Sequence, residues 1–252
     1  MEDNPVNQTV GLRMLEKMGH VTALAKNGRE ALEQIAAETF DLVFMDVQMP
    51  EMDGLTATEQ IRANEKMSGQ HLPIVAMTAR ALRGDRETCL ASGMDGYISK
   101  PIAREELELA IAEHSGKTQP AAPRRETAKT PTEQSAAPGW DARKFLEKIG
   151  GDENLLKEVT DIFFEETPKL IQGLRVAIEV GDPAAVETVA HTLKGELSYF
   201  GSEAAIQARE LERMGREKNL AEAPATLTSF EKEVVLLMDI VRKGVRGRSA
   251  HA

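Results

Sequence analysis

Residues 42–54 read Leu-Val-Phe-Met-Asp-Val-Gln-Met-Pro-Glu-Met-Asp-Gly, and the order of apolar, acidic and turn-forming residues there decides the fold. Leu42 to Met45 is a short unbroken apolar run, the pattern of a strand covered on both faces. Asp46 closes the run, so its carboxylate is presented at the strand's end. Gln48-Met49-Pro50 and Asp53-Gly54 then break the strand and start a helix.

Outward from this stretch the same rhythm repeats. Val21 to Leu24, Ile74 to Met77 and Tyr97 to Ile98 also read as strands, and residues 28–38, 54–67, 81–92 and 104–114 carry helical spacing. Strand–helix alternation of this kind predicts a parallel sheet with helices on both faces. Sites in such sheets form at the carboxyl ends of the strands. Asp46 and Thr78 each end an apolar run, Lys100 follows Tyr97-Ile98-Ser99 and precedes Pro101, and Asp3 stands near the start. Carboxylates gathered on one rim suit a hard divalent cation bound through oxygen. A carboxylate can also attack phosphorus while a metal and an ammonium neutralise the transferring group.

The character changes at 116–139, where Pro120, Pro123, Pro131 and Pro138 stand among Ala, Thr and Gln with no large apolar side chain. Such a stretch cannot bury enough surface to offset its ordering entropy and reads as a flexible linker. The expected division is 1–115, linker 116–139, a second domain 140–245 and a disordered tail 246–252. The second domain shows no strand alternation. Helical patterns run over 141–148, 152–179, 182–200, 203–218 and 222–243, with Asp182-Pro183 as cap and first turn. Short connections between long helices predict an antiparallel bundle.

On the helix at 182–200, about 100° per residue gathers Val186, Val189, Ala190, Leu193, Leu197 and Phe200 on a core face. His191 falls away from it, near Glu187, Lys194 and Ser198, with Gly195 one turn on and expected at the surface. A glycine inside a helix is costly and suggests close approach of a partner. An exposed imidazole can accept a phosphoryl group on a ring nitrogen, and Lys194 would attract the anion.

Composition narrows the field. Hydrophobic residues at 41% permit a packed core, while a net charge of −10 argues against nonspecific nucleic-acid binding, which needs Lys and Arg. Cys89 is the lone cysteine, so no internal disulfide forms, which fits a reducing cytoplasm; it reads as a small buried hydrophobe. No stretch approaches the ~20 apolar residues that cross a bilayer. His20, His71, His114 and His251 show no ligand spacing.

Four ordered motifs resemble the receiver domain of two-component response regulators: Glu-Asp-Asn-Pro-Val-Asn-Gln at 2–8, Phe-Met-Asp-Val-Gln-Met-Pro-Glu-Met-Asp-Gly at 44–54, Met-Thr-Ala at 77–79 and Ser-Lys-Pro at 99–101. The resemblance implies a flavodoxin-like α/β fold over 1–115, with Asp46 as phosphoacceptor and Glu2 and Asp3 as the acidic pocket. It implies Mg²⁺ held by Asp3, Asp46 and the main-chain carbonyl of Gln48, Lys100 on the phosphoryl oxygens, and Thr78 and Tyr97 as a switch pair. His-Thr-Leu-Lys-Gly at 191–195 with Phe200-Gly201 resembles a histidine-containing phosphotransfer (HPt) domain over 140–245. That implies an all-α bundle with His191 phosphorylated and Lys194 and Gly195 shaping its surroundings. The family commonly has Ser or Ala where Glu196 stands, at the edge of the core face, where it is expected to snorkel or to perturb packing.

The receiver family also places a buried central strand before its acidic pair, and only Met1 stands there; from Pro5 the pattern is helical, with Val6, Val10, Met14 and Met18 on one face. The expectation is a parallel sheet lacking its first strand, with Glu2 and Asp3 poorly anchored, from a truncated gene model or a fragment of a longer protein. The two resemblances together imply a phosphorelay segment like the C-terminal part of a hybrid sensor histidine kinase. No glycine-rich nucleotide lid is found, so the donor kinase would be a missing region or another protein, and the onward partner a receiver-containing regulator. Two other readings are a degenerate receiver acting as a non-phosphorylated adaptor, and an aspartate-nucleophile phosphatase of the haloacid-dehalogenase kind. The last usually has a second Asp where this chain has Gln48.

Overall fold

A computed structural model of the chain describes residues 1–78, 83–114, 140–201 and 203–249. Its elements are α1 (Pro5–Lys17), α2 (Gly28–Ala37), β1 (Val43–Asp46), α3 (Gly54–Ser68), β2 (Ile74–Thr78), α4 (Arg83–Ala91), β3 (Gly96–Ser99), α5 (Arg104–His114), α6 (Ala142–Lys148), α7 (Glu153–Val180), α8 (Pro183–Leu197), α9 (Glu203–Arg216) and α10 (Ala223–Ser249). They form two compact units, one built on the sheet and one on the bundle.

The sheet is parallel, in the order β1-β2-β3. Its register sets Asp46 opposite Met77 and Thr78 opposite Ser99, so the three strands end on one rim. Every residue of β2 is buried, as expected of a central parallel strand. Val43, Met45, Ile74, Ala76, Ala57, Ile61, Cys89 and Met94 make a core between the sheet and its helices. Local chemistry starts the helices as their sequences predict. Asn27 Oδ1 accepts from Glu30 N–H at 2.9 Å ahead of α2, and Asp53 Oδ1 from Thr56 N–H at 2.7 Å ahead of α3.

The strand expected at Val21 to Leu24 does not form. A strand needs a ladder of bonds along its length; among the described residues this segment meets Met1-Glu2, whose Glu2 N–H donates to the Ala25 carbonyl at 3.1 Å, and Gln34, whose Nε2 donates to the Leu24 carbonyl at 2.7 Å. Val21 is left fully exposed. Glu2 and Asp3 are nevertheless anchored, contrary to expectation. The Met1 ammonium donates to the Phe44 carbonyl at 2.6 Å and Asp46 N–H to the Met1 carbonyl at 3.2 Å.

In the second unit α7, α8, α9 and α10 each touch the next and α10 returns to α7, a closed four-helix bundle with α6 at one end. Asp182 caps α8 through Ala184 and Ala185 N–H at 3.1 Å, with Pro183 in the first turn. Gly181, at φ 70°, ends α7 in the left-handed conformation that glycine adopts without a steric penalty. Phe163, Phe200, Phe145 and Trp140 fill one part of the core, Phe163 and Phe200 with ring centroids 4.2 Å apart. Helices α8 and α9 meet backbone to backbone at Gly215, where a Cβ would lie 2.5 Å from Glu187 N.

Boundaries differ modestly from the sequence reading. The helix expected over 182–200 ends at Leu197, leaving Phe200 in the following turn, and α10 continues to Ser249, past the expected start of the tail at 246. The expected linker at 116–139 and Ala79 of the Met-Thr-Ala motif lie outside the described residues.

Candidate functional site

The carboxyl rim of the sheet gathers the acidic residues. One carboxylate oxygen each from Glu2, Asp3 and Asp46 lies within 4.8 Å of the others. Lys100, carried in by the end of β3, places Nζ 2.7 Å from Glu2 Oε2 and 2.5 Å from Asp46 Oδ2. These three side chains are almost wholly buried, at 3–4% exposure. The other Asp46 oxygen accepts from Gln48 N–H at 3.2 Å. Gly54 makes this turn possible: a Cβ there would lie 2.1 Å from the Asp46 carbonyl.

Burial pushes the Asp46 carboxyl up to about 8, with Lys100 pulling it down and Glu2 pushing it further up. Lys100 moves above its usual range, because Asp46 and Glu2 outweigh the effect of its own burial. Three carboxylates thus face one ammonium from β3, and the surplus negative charge sits in oxygen donors. That donor set fits a hard divalent cation, which would relieve the repulsion.

Thr78 lies on the same rim, buried, at the end of β2. Tyr97 is 40% exposed on β3, with the Arg86 guanidinium 5.6 Å above its ring.

The second site lies between α8 and α9. His191 Nδ1 is 2.8 Å from Glu212 Oε1, and Lys194 Nζ is 2.9 and 2.7 Å from the two Glu212 oxygens. Arg216 reaches Glu212 at 3.1 Å and Glu187 at 2.9 Å. Burial raises the Glu212 carboxyl, but the hydrogen bond with His191 and the charge of Lys194 outweigh it and hold the group at about 2. Ionised Glu212 accepts from Nδ1–H, which leaves Nε2 with the lone pair. The open surface expected around His191 is not what forms, because α9 lays Glu212 across that face. The His191 side chain is 13% exposed and Lys194 is buried; Gly195 is buried too, by Asn7, whose Nδ2 would lie 3.3 Å from a Cβ there.

Sequence reasoning missed Glu212. It could have been found as an acid on the buried stripe Ala204, Ala208, Leu211, Glu212 and Gly215 of α9, where a charge needs a partner. Glu196 neither snorkels nor reaches an edge: it is fully buried, and Oε1 accepts from the Thr167 hydroxyl of α7 at 2.6 Å. Burial raises the carboxyl to about 7, against the hydrogen bonds from Thr167 and Asn4. None of the described helices is long and apolar enough to cross a membrane.

Comparison with known proteins gives a family for a part of each unit. Residues 1–112 match the response regulator receiver domain and residues 158–243 the Hpt domain. The chain is 32% identical over 241 residues to the sensor protein GacS of Pseudomonas syringae pv. syringae, covering 94% of this chain and 26% of that protein. It is 44% identical over 117 residues to the sensor histidine kinase GacS of Pseudomonas protegens, covering 46% of this chain and 13% of that one. The chain therefore spans about a quarter or less of the length of these relatives. Among solved structures, the receiver domain of sensor histidine kinase PA1611 from Pseudomonas aeruginosa carries a magnesium ion in its active-site cleft. It is 43% identical, covering 46% of this chain and 93% of that chain, with a TM-score of 0.43. The chain thus carries a two-component receiver domain over 1–112 followed by an Hpt domain over 158–243, and its homologues are hybrid sensor histidine kinases like GacS.

Proposed function

We propose that Asp46 and His191 are the two phosphoacceptors of this chain, and that phosphoryl groups pass through them between a donor histidine and an acceptor aspartate. The observation that carries the reading is the Lys100 ammonium held at 2.7 and 2.5 Å between Glu2 and Asp46 in a buried acidic cluster. An ammonium fixed there is already placed to meet the oxygens of an incoming phosphoryl group. An Asp46 oxygen attacks phosphorus as the bond to the donor nitrogen breaks, and that nitrogen keeps the electron pair. Lys100 neutralises the transferred oxygens, and Thr78 on the same rim offers its hydroxyl. Glu2, Asp3 and Asp46, with the Gln48 main-chain carbonyl, would hold Mg²⁺, which supplies charge neutralisation at phosphorus. The inference that Thr78 and Tyr97 sense the phosphorylated state belongs to the same reading.

At His191 the Nε2 lone pair is the nucleophile for an aspartyl phosphate. Glu212 holds the ring and stabilises the positive charge that develops on it, and Lys194 attracts the anion. The partners that follow are a donor histidine kinase, or a kinase region of a longer protein, and a receiver-containing regulator downstream, in the cytoplasm.

The test is intact mass after incubation with acetyl phosphate and Mg²⁺, run beside Asp46→Ala and His191→Ala. An adduct lost with Asp46→Ala is expected. No adduct on a folded wild-type chain would overturn the assignment of Asp46. His191 is tested separately with a phosphorylated receiver as donor.

A further inference from the structure

Helix α10 turns one face to its own bundle. Leu227, Phe230, Val234, Leu237 and Val241 are buried, and the helix packs against α6, α7 and α9. At about 100° per residue, Thr228, Lys232, Val235, Leu236, Asp239 and Lys243 fall on the opposite side. Val235 and Leu236 stand in the middle of that side, 69% and 55% exposed. Among the described residues of α10 they are the large apolar side chains left in solvent. Lys232 lies one turn before them and Asp239 one turn after, and Asp239 holds the Lys243 ammonium of its own helix at 2.5 Å.

The charge order along this face reads in reverse as its own complement. Counted outward from the point between Val235 and Leu236, Lys232 and Asp239 stand equally far on either side, and so do Thr228 and Lys243. Two antiparallel copies of α10 centred there set Val235 against Leu236 and Lys232 against Asp239. A two-fold axis makes each of these contacts twice. A parallel pair would instead set Lys232 on Lys232 and Lys243 on Lys243, like charge on like.

We propose that this outer face of α10 is a docking surface for a second copy of this chain. The two copies join as an antiparallel, two-fold symmetric helix pair, with Val235 and Leu236 at the centre and a Lys232–Asp239 ion pair on each side. The choice of occupant follows from the charge pattern, which fits itself reversed. A single helix pair with so small an apolar centre falls short of the roughly 1,200 Å² that a stable interface buries. The dimer is therefore weak and forms at concentrations on the order of tens of micromolar. Neither Asp46 nor His191 belongs to this face, so the proposal stands apart from the phosphoryl-transfer reading.

The test is sedimentation velocity of the full chain from about 5 to about 500 µM, with circular dichroism to show that each variant keeps its helices. A mass rising with concentration from one chain toward two is expected. Lys232→Glu and Asp239→Lys should each weaken association about tenfold or more, because symmetry turns one substitution into two like-charge contacts. The variant carrying both should regain the wild-type association constant. Three results would overturn the proposal: a monomer throughout the range, association unchanged by either single substitution, or weakening by the single substitutions that the double does not reverse.

Discussion

Glu212 of α9 and His191 of α8 meet through a single ring nitrogen, with Oε1 2.8 Å from Nδ1. The same carboxylate holds the buried Lys194 ammonium through both of its oxygens. One acid therefore sets both the tautomer of the ring and the position of the charge beside it.

Glu212→Ala removes both effects. Phosphoryl acceptance by His191 is expected to fall by about tenfold or more, and the unpaired Lys194 should cost on the order of 3 kcal/mol of bundle stability. Glu212→Gln keeps the shape and separates the two losses. Nitrogen-15 NMR of the imidazole checks the mechanism: the wild-type ring should be protonated on Nδ1, and the Ala variant should show mixed tautomers.

Lys100→Ala leaves Glu2 and Asp46 facing each other without their ammonium. Labelling by acetyl phosphate should drop by about an order of magnitude or more. Mg²⁺ affinity, measured by calorimetry, should hold or tighten, since Lys100 competes for the same oxygens. A parallel loss of cation binding would show that the lysine assembles the pocket rather than meeting the phosphoryl group.

Glu196 makes the bundle sensitive to pH. Its carboxyl titrates at about 7 in the fold against an ordinary value of 4.5. The folded state therefore holds the extra proton between these values, and stability falls as pH rises from about 4.5 to about 7, then levels off. The size is on the order of 3 kcal/mol. Glu196→Gln should lose this slope and be the more stable protein at pH 8, read from urea midpoints of the helical transition across the pH range.

Gly54→Ala tests the turn behind Asp46. A methyl group 2.1 Å from the Asp46 carbonyl and 2.8 Å from Met45 Cγ cannot be absorbed without moving the turn. A loss of about 1–3 kcal/mol is expected, with Asp46 labelling reduced and His191 labelling by a phosphorylated receiver unchanged.

The parts of this architecture set by local chemistry were legible in the sequence. The run ending at Asp46, the Asp182-Pro183 helix start and the helices of the bundle all lie where periodicity and capping place them. The strand at Val21 to Leu24 was misread because its existence depends on a neighbour, and no local pattern reports that. The surroundings of His191 were misread for a related reason. A helical wheel shows which face is apolar, but not which other helix carries an acid across the polar one, so Glu212 and the burial of Gly195 emerged only with tertiary packing. Glu196 shows the same limit, since its hydrogen-bond partner, Thr167, stands 29 residues away in sequence.

Gly215 stands one helical turn beyond Glu212, against Glu187, which is one turn before His191. Because backbone meets backbone there, the gap between imidazole and carboxylate is gauged by the main chain rather than by flexible side chains. The pair behaves like the jaws of a fixed caliper: little motion has to be frozen out before reaction, and widening the jaws by one methyl group would loosen the grip on the ring without altering either reacting residue.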